Sequence, residues 1–177
     1  GDLEKERHVT AVHSQFVRQD QLDKYRKYKI TPSFFTQHTY FFADTHLVLR
    51  GKQQTDFISP MRTAIDMGLR PSNHTDFVVT PLDQLFVIWT AVNRISRNGV
   101  LIGGGERITP LEALEAITLS AARQHGDEQT KGSLEHGKLA DMVILSANPL
   151  TVEPMQIKDI KVVETFKQGR RIYPQQL

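Results

Sequence analysis

The sequence predicts an α/β fold in two parts, a series of strand–helix units followed by a small β-rich tail. Over residues 1–130, short apolar or β-branched runs alternate with segments of helical periodicity, an order typical of βαβ units and a mostly parallel sheet. Over residues 131–177, short strand-like runs are separated by turns. We therefore predict a domain boundary near residue 130.

The first strand–helix unit starts the chain and leads to a second strand. The apolar run 9–12 predicts a strand that ends at His13, and the run 30–35 predicts another, because it is rich in β-branched and aromatic residues. Between the two strands, Asp20 is placed to cap a helix. That helix would carry Leu22, Tyr25 and Tyr28.

The second unit adds a helix and a third strand. Ser59 and Pro60 are a capping residue and a proline at the first helical position, and Gly68 stands where the helix should end. Residues 69–72 are then a candidate strand, which leads into the polar sequence 74–76.

Two later helices have the clearest signatures. One has apolar residues at helical spacing, namely Leu85, Ile88, Trp89, Val92 and Ile95. The other begins at a capping box of Thr109 and Glu112, with Pro110 at the first helical position, and should end near Gly126. Its buried face is predicted to consist of Leu111, Leu114 and Ile117.

The tail is predicted to be β-structure. Residues 141–145 form a short strand run, and residues 162–166 and 170–173 flank a turn at Gly169. The last two runs are typical of a β-hairpin.

Composition excludes several classes of function. The 177 residues carry a formal net charge of only +2, which does not indicate a nucleic-acid or membrane-surface partner. There is no cysteine, so disulfides, thiolate metal sites and cysteine nucleophiles are excluded. No apolar run reaches the roughly 20 residues that span a bilayer. The charged start is not a signal peptide, so the sequence favours a cytoplasmic location, with any export signal lying upstream of this chain.

Ionisable side chains follow each of the three predicted parallel strands. His13 closes the first, His38 follows the second, and His74 and Asp76 follow the third. The carboxyl ends of parallel strands meet at one edge of a sheet, and imidazole and carboxylate groups suit zinc and related divalent ions. A single histidine at a strand end is more often structural, and Asp76 could instead cap the helix near Pro81.

Other polar features favour structural roles. The glycines at 103–105 lack the lysine of a phosphate-binding loop and are predicted to form a flexible loop. Four histidines in polar surroundings are predicted to lie on the surface, namely His8, His46, His125 and His136.

Four stretches together resemble a known family. Residues 7–15, 31–40 and 73–83 are similar to three successive strand ends of the metal-dependent amidohydrolase superfamily, in the branch called amidohydrolase family 3. Residues 131–143 contain Gly-Ser-Leu followed by Gly-Lys-Leu-Ala-Asp, which resembles the return of these chains from their barrel to a small β-sandwich.

The resemblance implies the C-terminal part of a TIM-like (β/α)8 barrel, strands six to eight, in residues 1–130, and part of the β-sandwich in residues 131–177. It implies zinc or another divalent metal and a small-molecule substrate with an amide-type carbon–nitrogen bond. His13 would be a metal ligand, and Asp76 both a ligand and a proton shuttle. His38 and His74 would contact the substrate.

The resemblance is incomplete, because the family's ligands on the first, fourth and fifth strands would lie before Gly1. Only two matched ligands remain, so we expect the isolated chain to be inactive. One alternative is a non-catalytic binding or regulatory module on the same scaffold. Another is an unrelated α/β fold, which would place His13 and Asp76 more than about 12 Å apart. An unpaired strand edge would favour homo-oligomers.

Overall fold

The computed structural model describes residues 5–174, which contain two three-stranded sheets. The first is parallel, in the order β1-β2-β3, and the second is antiparallel, in the order β4-β5-β6. The strands are β1 Thr10–His13, β2 Thr31–Phe34, β3 Ser72–Asn73, β4 Met142–Leu145, β5 Val162–Lys167 and β6 Arg170–Tyr173. The parallel sheet and the C-terminal hairpin predicted from the sequence are both present.

Seven α-helices and two 3-10 turns accompany these strands in the described part of the chain. The helices are α1 Gln19–Lys27, α2 His38–Phe41, α3 Ala43–Asp56, α4 Met61–Asp66, α5 Gln84–Asn93, α6 Pro110–Ile117 and α7 Leu119–Gln124. The 3-10 turns are Gly104–Glu106 and Pro154–Asp159. Among residues 5–174, no helix combines the length and the apolar character that crossing a membrane would need.

Helix α1 starts before the residue predicted to cap it. Its N-cap is Arg18, and Asp20 lies in the first turn, where its carboxylate accepts two hydrogen bonds from the Arg18 guanidinium. The prediction that Asp20 is the cap was therefore wrong. An acidic residue in the first turn also interacts favourably with the helix dipole, so it resembles a cap in the sequence.

The third strand is shorter than predicted. The run 69–72 was expected to be a strand, but β3 contains only Ser72 and Asn73. Pro71 has no backbone N–H and cannot donate to a ladder, so regular pairing starts after it. The backbone N–H of His74 donates to the carbonyl of Phe34 at 3.0 Å, which extends the pairing by one residue.

The capping box at the start of α6 is confirmed, but the predicted buried face of this helix is partly wrong. Leu111 is 53% exposed, whereas Ala113 and Ala116 are buried. Small alanine side chains let the helix lie close to its neighbours, and the larger residues then lie at the margins of the contact. The helical spacing of apolar residues in the sequence predicts Leu111, Leu114 and Ile117 as the buried face, because it does not take the size of the side chains into account.

Helix α3 and the conformation of Gly103 were not predicted. Helix α3 is kinked at Gly51, which has φ 76°, and the glycine breaks its apolar periodicity. Gly103 has φ 54°, and a Cβ at this position would lie 1.8 Å from the Asp56 carbonyl oxygen. The glycine segment is therefore closely packed at Gly103 and continues into a 3-10 turn, although Gly105 has open space around it.

The core joins the parallel region to part of the tail. Ile157 and Ile160, from the second 3-10 turn and the residue after it, are buried in the same apolar cluster as Trp89 of α5. The Trp89 indole donates to the Met155 carbonyl at 3.1 Å. A buried isoleucine contributes roughly 1.5–3 kcal/mol, so this contact holds the start of the tail against α5.

The parallel sheet has two outer edges. Within residues 5–174, β1 and β3 each pair only with β2. Val12 on the first of these strands is 62% exposed. The exposed edge expected from the sequence is thus present.

Candidate metal centre

Three strand ends bring the predicted site residues together. His13 is the last residue of β1, and His74 and Asp76 follow β3 directly. In the parallel register, His13 lies opposite Phe34 and Phe34 lies opposite Asn73, so the carboxyl ends of all three strands are level. This register explains why His13 and Asp76, 63 positions apart in the chain, meet at one edge.

The centre of the site is a contact between His13 and Asp76. The His13 Nε2 atom lies 3.2 Å from Asp76 Oδ2. A donor atom of His74 completes a group in which all three ligand atoms lie within 4.8 Å of one another. A distance of 3.2 Å contradicts the unrelated α/β fold, which required a separation of more than about 12 Å.

Both members of this contact have a left-handed backbone. His13 has φ 67° and Asp76 has φ 51°. Aspartate and histidine both enter this region more often than most residues other than glycine, but such a backbone still costs on the order of 1–3 kcal/mol for each residue. The surrounding structure therefore holds two side chains in a strained arrangement that directs them toward each other.

His74 is fixed by two neighbours. Its Nδ1 atom lies 3.0 Å from the Ser33 hydroxyl, and the Phe35 ring stacks on it at a centroid distance of 5.5 Å and an interplanar angle of 18°. Its Nε2 atom is buried and has no hydrogen-bond partner within the part of the chain that the structure describes. Burial lowers the pKa of His74 to about 4, and repulsion from His13 adds to this effect.

His38 borders the same site from the first turn of α2. Its side chain is buried, and its ring centroid lies 5.9 Å from that of His13. Phe35 and Phe42 pack against it at 4.3 and 5.7 Å between ring centroids. Burial lowers the pKa of His38 to about 3, and repulsion from His13, His46 and His74 contributes further. His38 is therefore neutral at pH 7.

The prediction for His46 was wrong, because this side chain is half-buried and joined to the loop after β1. The Gln15 amide Nε2 donates to His46 Nε2 at 2.8 Å, and the Phe16 ring packs edge-on against the imidazole. Burial lowers the pKa of His46, with a smaller effect from Arg50. Contacts across 31 residues leave no local signal, so the sequence could not show them. The other three predicted surface histidines are exposed.

The donor set fits a divalent metal. Two ligands about 2 Å from zinc lie at most about 4 Å apart, so donors within 4.8 Å need to close by less than about 1 Å. Neutral imidazoles and a carboxylate are the forms that bind such ions. The buried Nε2 of His74 would also gain the partner that it lacks among the described residues.

Comparison with known sequences agrees with this geometry. The sequence model described as "Amidohydrolase family", for the branch numbered three, matches residues 1–173. The chain belongs to the amidohydrolase family. The family resemblance carried by the strand ends and the tail motif is thereby confirmed.

Individual relatives extend well beyond this chain. An N-substituted formamide deformylase from Arthrobacter pascens is 29% identical over 121 residues, which cover 68% of this chain and 22% of the relative. The structure of an uncharacterized metal-dependent hydrolase from Pyrococcus horikoshii OT3 aligns with TM-score 0.71 and 24% identity, covering 82% of this chain and 30% of that one. An adenosine deaminase from Xanthomonas campestris with bound zinc aligns with TM-score 0.67 and 20% identity, covering 92% and 36%.

These matches bear on the fold class of the chain and on its length relative to these proteins. Strands and helices alternate in this chain, and its fold aligns with those of both solved structures, so the mixed α/β class predicted from the sequence is confirmed. The chain spans between 22% and 36% of the length of the three proteins above.

Proposed function

We propose that this chain is the C-terminal portion of a metal-dependent hydrolase that acts on amide-type carbon–nitrogen bonds of small molecules. Strands β1 to β3 would be barrel strands six to eight, and residues 131–177 would be part of the small β-sandwich. The observation that carries the proposal is the contact of His13 Nε2 with Asp76 Oδ2 at 3.2 Å, at the level carboxyl ends of parallel strands.

We assign the metal to His13 and Asp76, with zinc favoured by the imidazole and carboxylate donors. Such an ion, when bound, supplies Lewis-acid chemistry for the attack of water on a carbon–nitrogen bond. The Asp76 side chain is 35% exposed, so solvent reaches it. Its carboxylate can accept the proton of the attacking water and return it to the leaving nitrogen.

His38 and the aromatic rings beside it would contact the substrate. His38 is neutral, and its ring lies beside that of His13, with 5.9 Å between the ring centroids. The rings of Phe35 and Phe42 pack against His38. A neutral imidazole can donate one hydrogen bond to a substrate carbonyl, and the rings provide an apolar wall. The likeness to a formamide deformylase supports a substrate with an amide-type bond.

Metal analysis of the purified chain tests this proposal. After dialysis against zinc-free buffer, we expect close to one zinc per chain, and loss of that zinc in His13→Ala and Asp76→Ala. The matched control is His136→Ala, an exposed histidine far along the chain. Equal zinc content in the wild type and in both site variants would contradict the proposed metal role.

Activity measurements address the second part of the proposal. The family resemblance implies further ligands on strands other than these three, so we expect no hydrolysis of N-substituted formamides or acyl-amino acids by the chain alone. Hydrolysis that Asp76→Asn abolishes would show that the chain is complete for catalysis. A whole protein that binds zinc but hydrolyses no member of the panel would favour the non-catalytic binding module.

Assembly through the free sheet edges is a further part of the proposal. The exposed outer edges of β1 and β3 favour pairing with another strand. Light scattering should therefore find dimers or larger species, and a clean monomer at all concentrations would contradict this expectation.

A further inference from the structure

We propose that Ser33 positions His74 as a third ligand of the metal site. The Ser33 hydroxyl would hold the imidazole in the tautomer that leaves the Nε2 lone pair free to bind. This inference rests on the proposed function, and it reassigns His74 from substrate contact to metal binding.

Ser33 is built into the sheet beside the site. It lies in β2 opposite Ser72 and is 5% exposed, and its Oγ atom is 3.0 Å from His74 Nδ1. The backbone N–H of His74 donates to the Phe34 carbonyl, and the Phe35 ring covers one face of the imidazole. Backbone, ring face and Nδ1 are thus all held, so the only free atom of the imidazole that can bind a ligand is Nε2.

The direction of the hydrogen bond between Ser33 and His74 depends on the tautomer of His74. A serine hydroxyl can donate or accept, so two arrangements are possible. If Nδ1–H donates to Ser33 Oγ, the Nε2 atom carries a lone pair. If the hydroxyl donates to Nδ1 instead, the proton lies on Nε2, which is buried and has no partner among residues 5–174. Only the first arrangement leaves a lone pair on Nε2, so a metal bound to this atom requires Nδ1–H to donate to Ser33 Oγ.

A third ligand changes what this chain can do. Catalytic zinc sites take three protein ligands, whereas the family resemblance supplies only His13 and Asp76 here. His74 stands two residues before Asp76, and one of its two ring nitrogens lies within 4.8 Å of both other ligand atoms. The end of β3 therefore contributes two donors, His74 and Asp76, and His13 at the end of β1 contributes the third. The chain thus holds three metal ligands of its own.

Ligand-supporting hydrogen bonds of this kind have measurable effects on metal affinity. Removing one costs about 10- to 100-fold in affinity. We expect Ser33→Ala to weaken zinc binding by that factor, measured by competition with a chromophoric chelator, and Ser33→Thr to restore it because the hydroxyl returns. The control is Ser72→Ala, which removes a buried hydroxyl from the neighbouring strand that bonds to Gln124, away from the site.

The tautomer is read directly, without metal, from the ¹⁵N chemical shifts of His74. The wild type should show Nδ1–H and a bare Nε2, and Ser33→Ala should show a mixture. A wild-type spectrum with the proton on Nε2 would overturn the proposal even if no variant folds. A merely structural role for Ser33 would lower stability without shifting the tautomer.

The zinc titrations separate this inference from the proposed function. If the wild type binds zinc and His13→Ala does not, the metal site is supported. If Ser33→Ala and His74→Ala then bind as tightly as the wild type, only the present inference fails. If the wild type and His13→Ala are equally unable to bind zinc, the proposed metal site fails with it.

Discussion

Arg94 carries the largest stability effect that we expect from a single side chain. It is completely buried at the C-terminal end of α5. Its guanidinium donates to four backbone carbonyls, those of Ile102 at 2.6 Å, Ile58 at 2.8 Å, Ser59 at 3.1 Å and Asp56 at 3.2 Å. These carbonyls belong to the end of α3 with the residues that follow it and to the segment at Ile102, so one cation joins three segments of the chain.

The substitution Arg94→Met tests this role, because methionine fills similar space and cannot donate. A buried acceptor that loses its partner costs about 1–3 kcal/mol, and four such carbonyls lose theirs together. The costs are not additive, since some carbonyls will rotate toward water, so we expect a loss of about 4 kcal/mol. Whole domains are stable by only about 5–15 kcal/mol, so this is a large share.

Arg94→Lys should cost less, about half as much, because one ammonium group can reach some of these carbonyls but lacks the planar fork that reaches all four. Burial lowers the pKa of Arg94 to about 10, so the native side chain is still charged at pH 7. Hydrogen bonds from a charged donor are stronger than neutral ones, which adds to the effect of losing them.

Urea unfolding at pH 7, followed by the fluorescence of the single tryptophan, measures these differences. The matched control is Arg97→Met, three residues away, where the side chain is exposed and stacks on Tyr40 and Phe41. We expect that change to cost less than about 1 kcal/mol. If Arg94→Met costs no more than Arg97→Met, the four carbonyl contacts do not stabilise the fold and the reasoning is refuted.

Two further predictions concern other parts of the fold. Gly103→Ala should cost at least about 3 kcal/mol of unfolding free energy, because its Cβ would lie 1.8 Å from the Asp56 carbonyl at positive φ, whereas Gly105→Ala, with open space around it, should be nearly neutral in the same urea assay. Arg62 forms an ion pair with Glu112. Burial alone would raise the pKa of Glu112, but hydrogen bonds from Arg62 and the helix cap outweigh it and hold this pKa below its ordinary value of 4.5. The stability advantage of the wild type over Arg62→Met, about 0.5–1 kcal/mol, should therefore be present at pH 7 and disappear as the pH falls below 4.5 through the lowered pKa. An advantage that persists at pH 3 would contradict the assignment.

Local patterns in the sequence located most of the site. His13, His38, His74 and Asp76 each stand just after an apolar or β-branched run, and the strand–helix order predicts parallel pairing. Parallel strands place their carboxyl ends at one edge, so local information together with one topological rule predicted the convergence. The distance of 3.2 Å between His13 and Asp76 confirms that prediction.

The support of the site could not be predicted in this way. The bond of Ser33 to His74 joins residues 41 positions apart, and the packing of Gly103 against Asp56 joins residues 47 positions apart. Neither contact has a periodicity or a local spacing. A serine in a strand has no obvious partner, and a run of glycines is more often flexible than packed.

These long-range contacts connect the core to the site. Arg94 holds the carbonyls of the segment that ends at Ser59. The Ser59 N–H donates to the Gln15 carbonyl, and its hydroxyl donates to the Phe35 carbonyl. Gln15 lies two residues after His13, so the bond from Ser59 connects the backbone beside His13 to Arg94 at the end of α5. Phe35 packs on both His38 and His74, so the second bond from Ser59 supports these two rings. The backbone beside His13 at the candidate metal site is therefore linked through Ser59 to a buried cation in the core. We expect Arg94→Lys to weaken zinc binding as well as lower stability, whereas Arg97→Met should change neither.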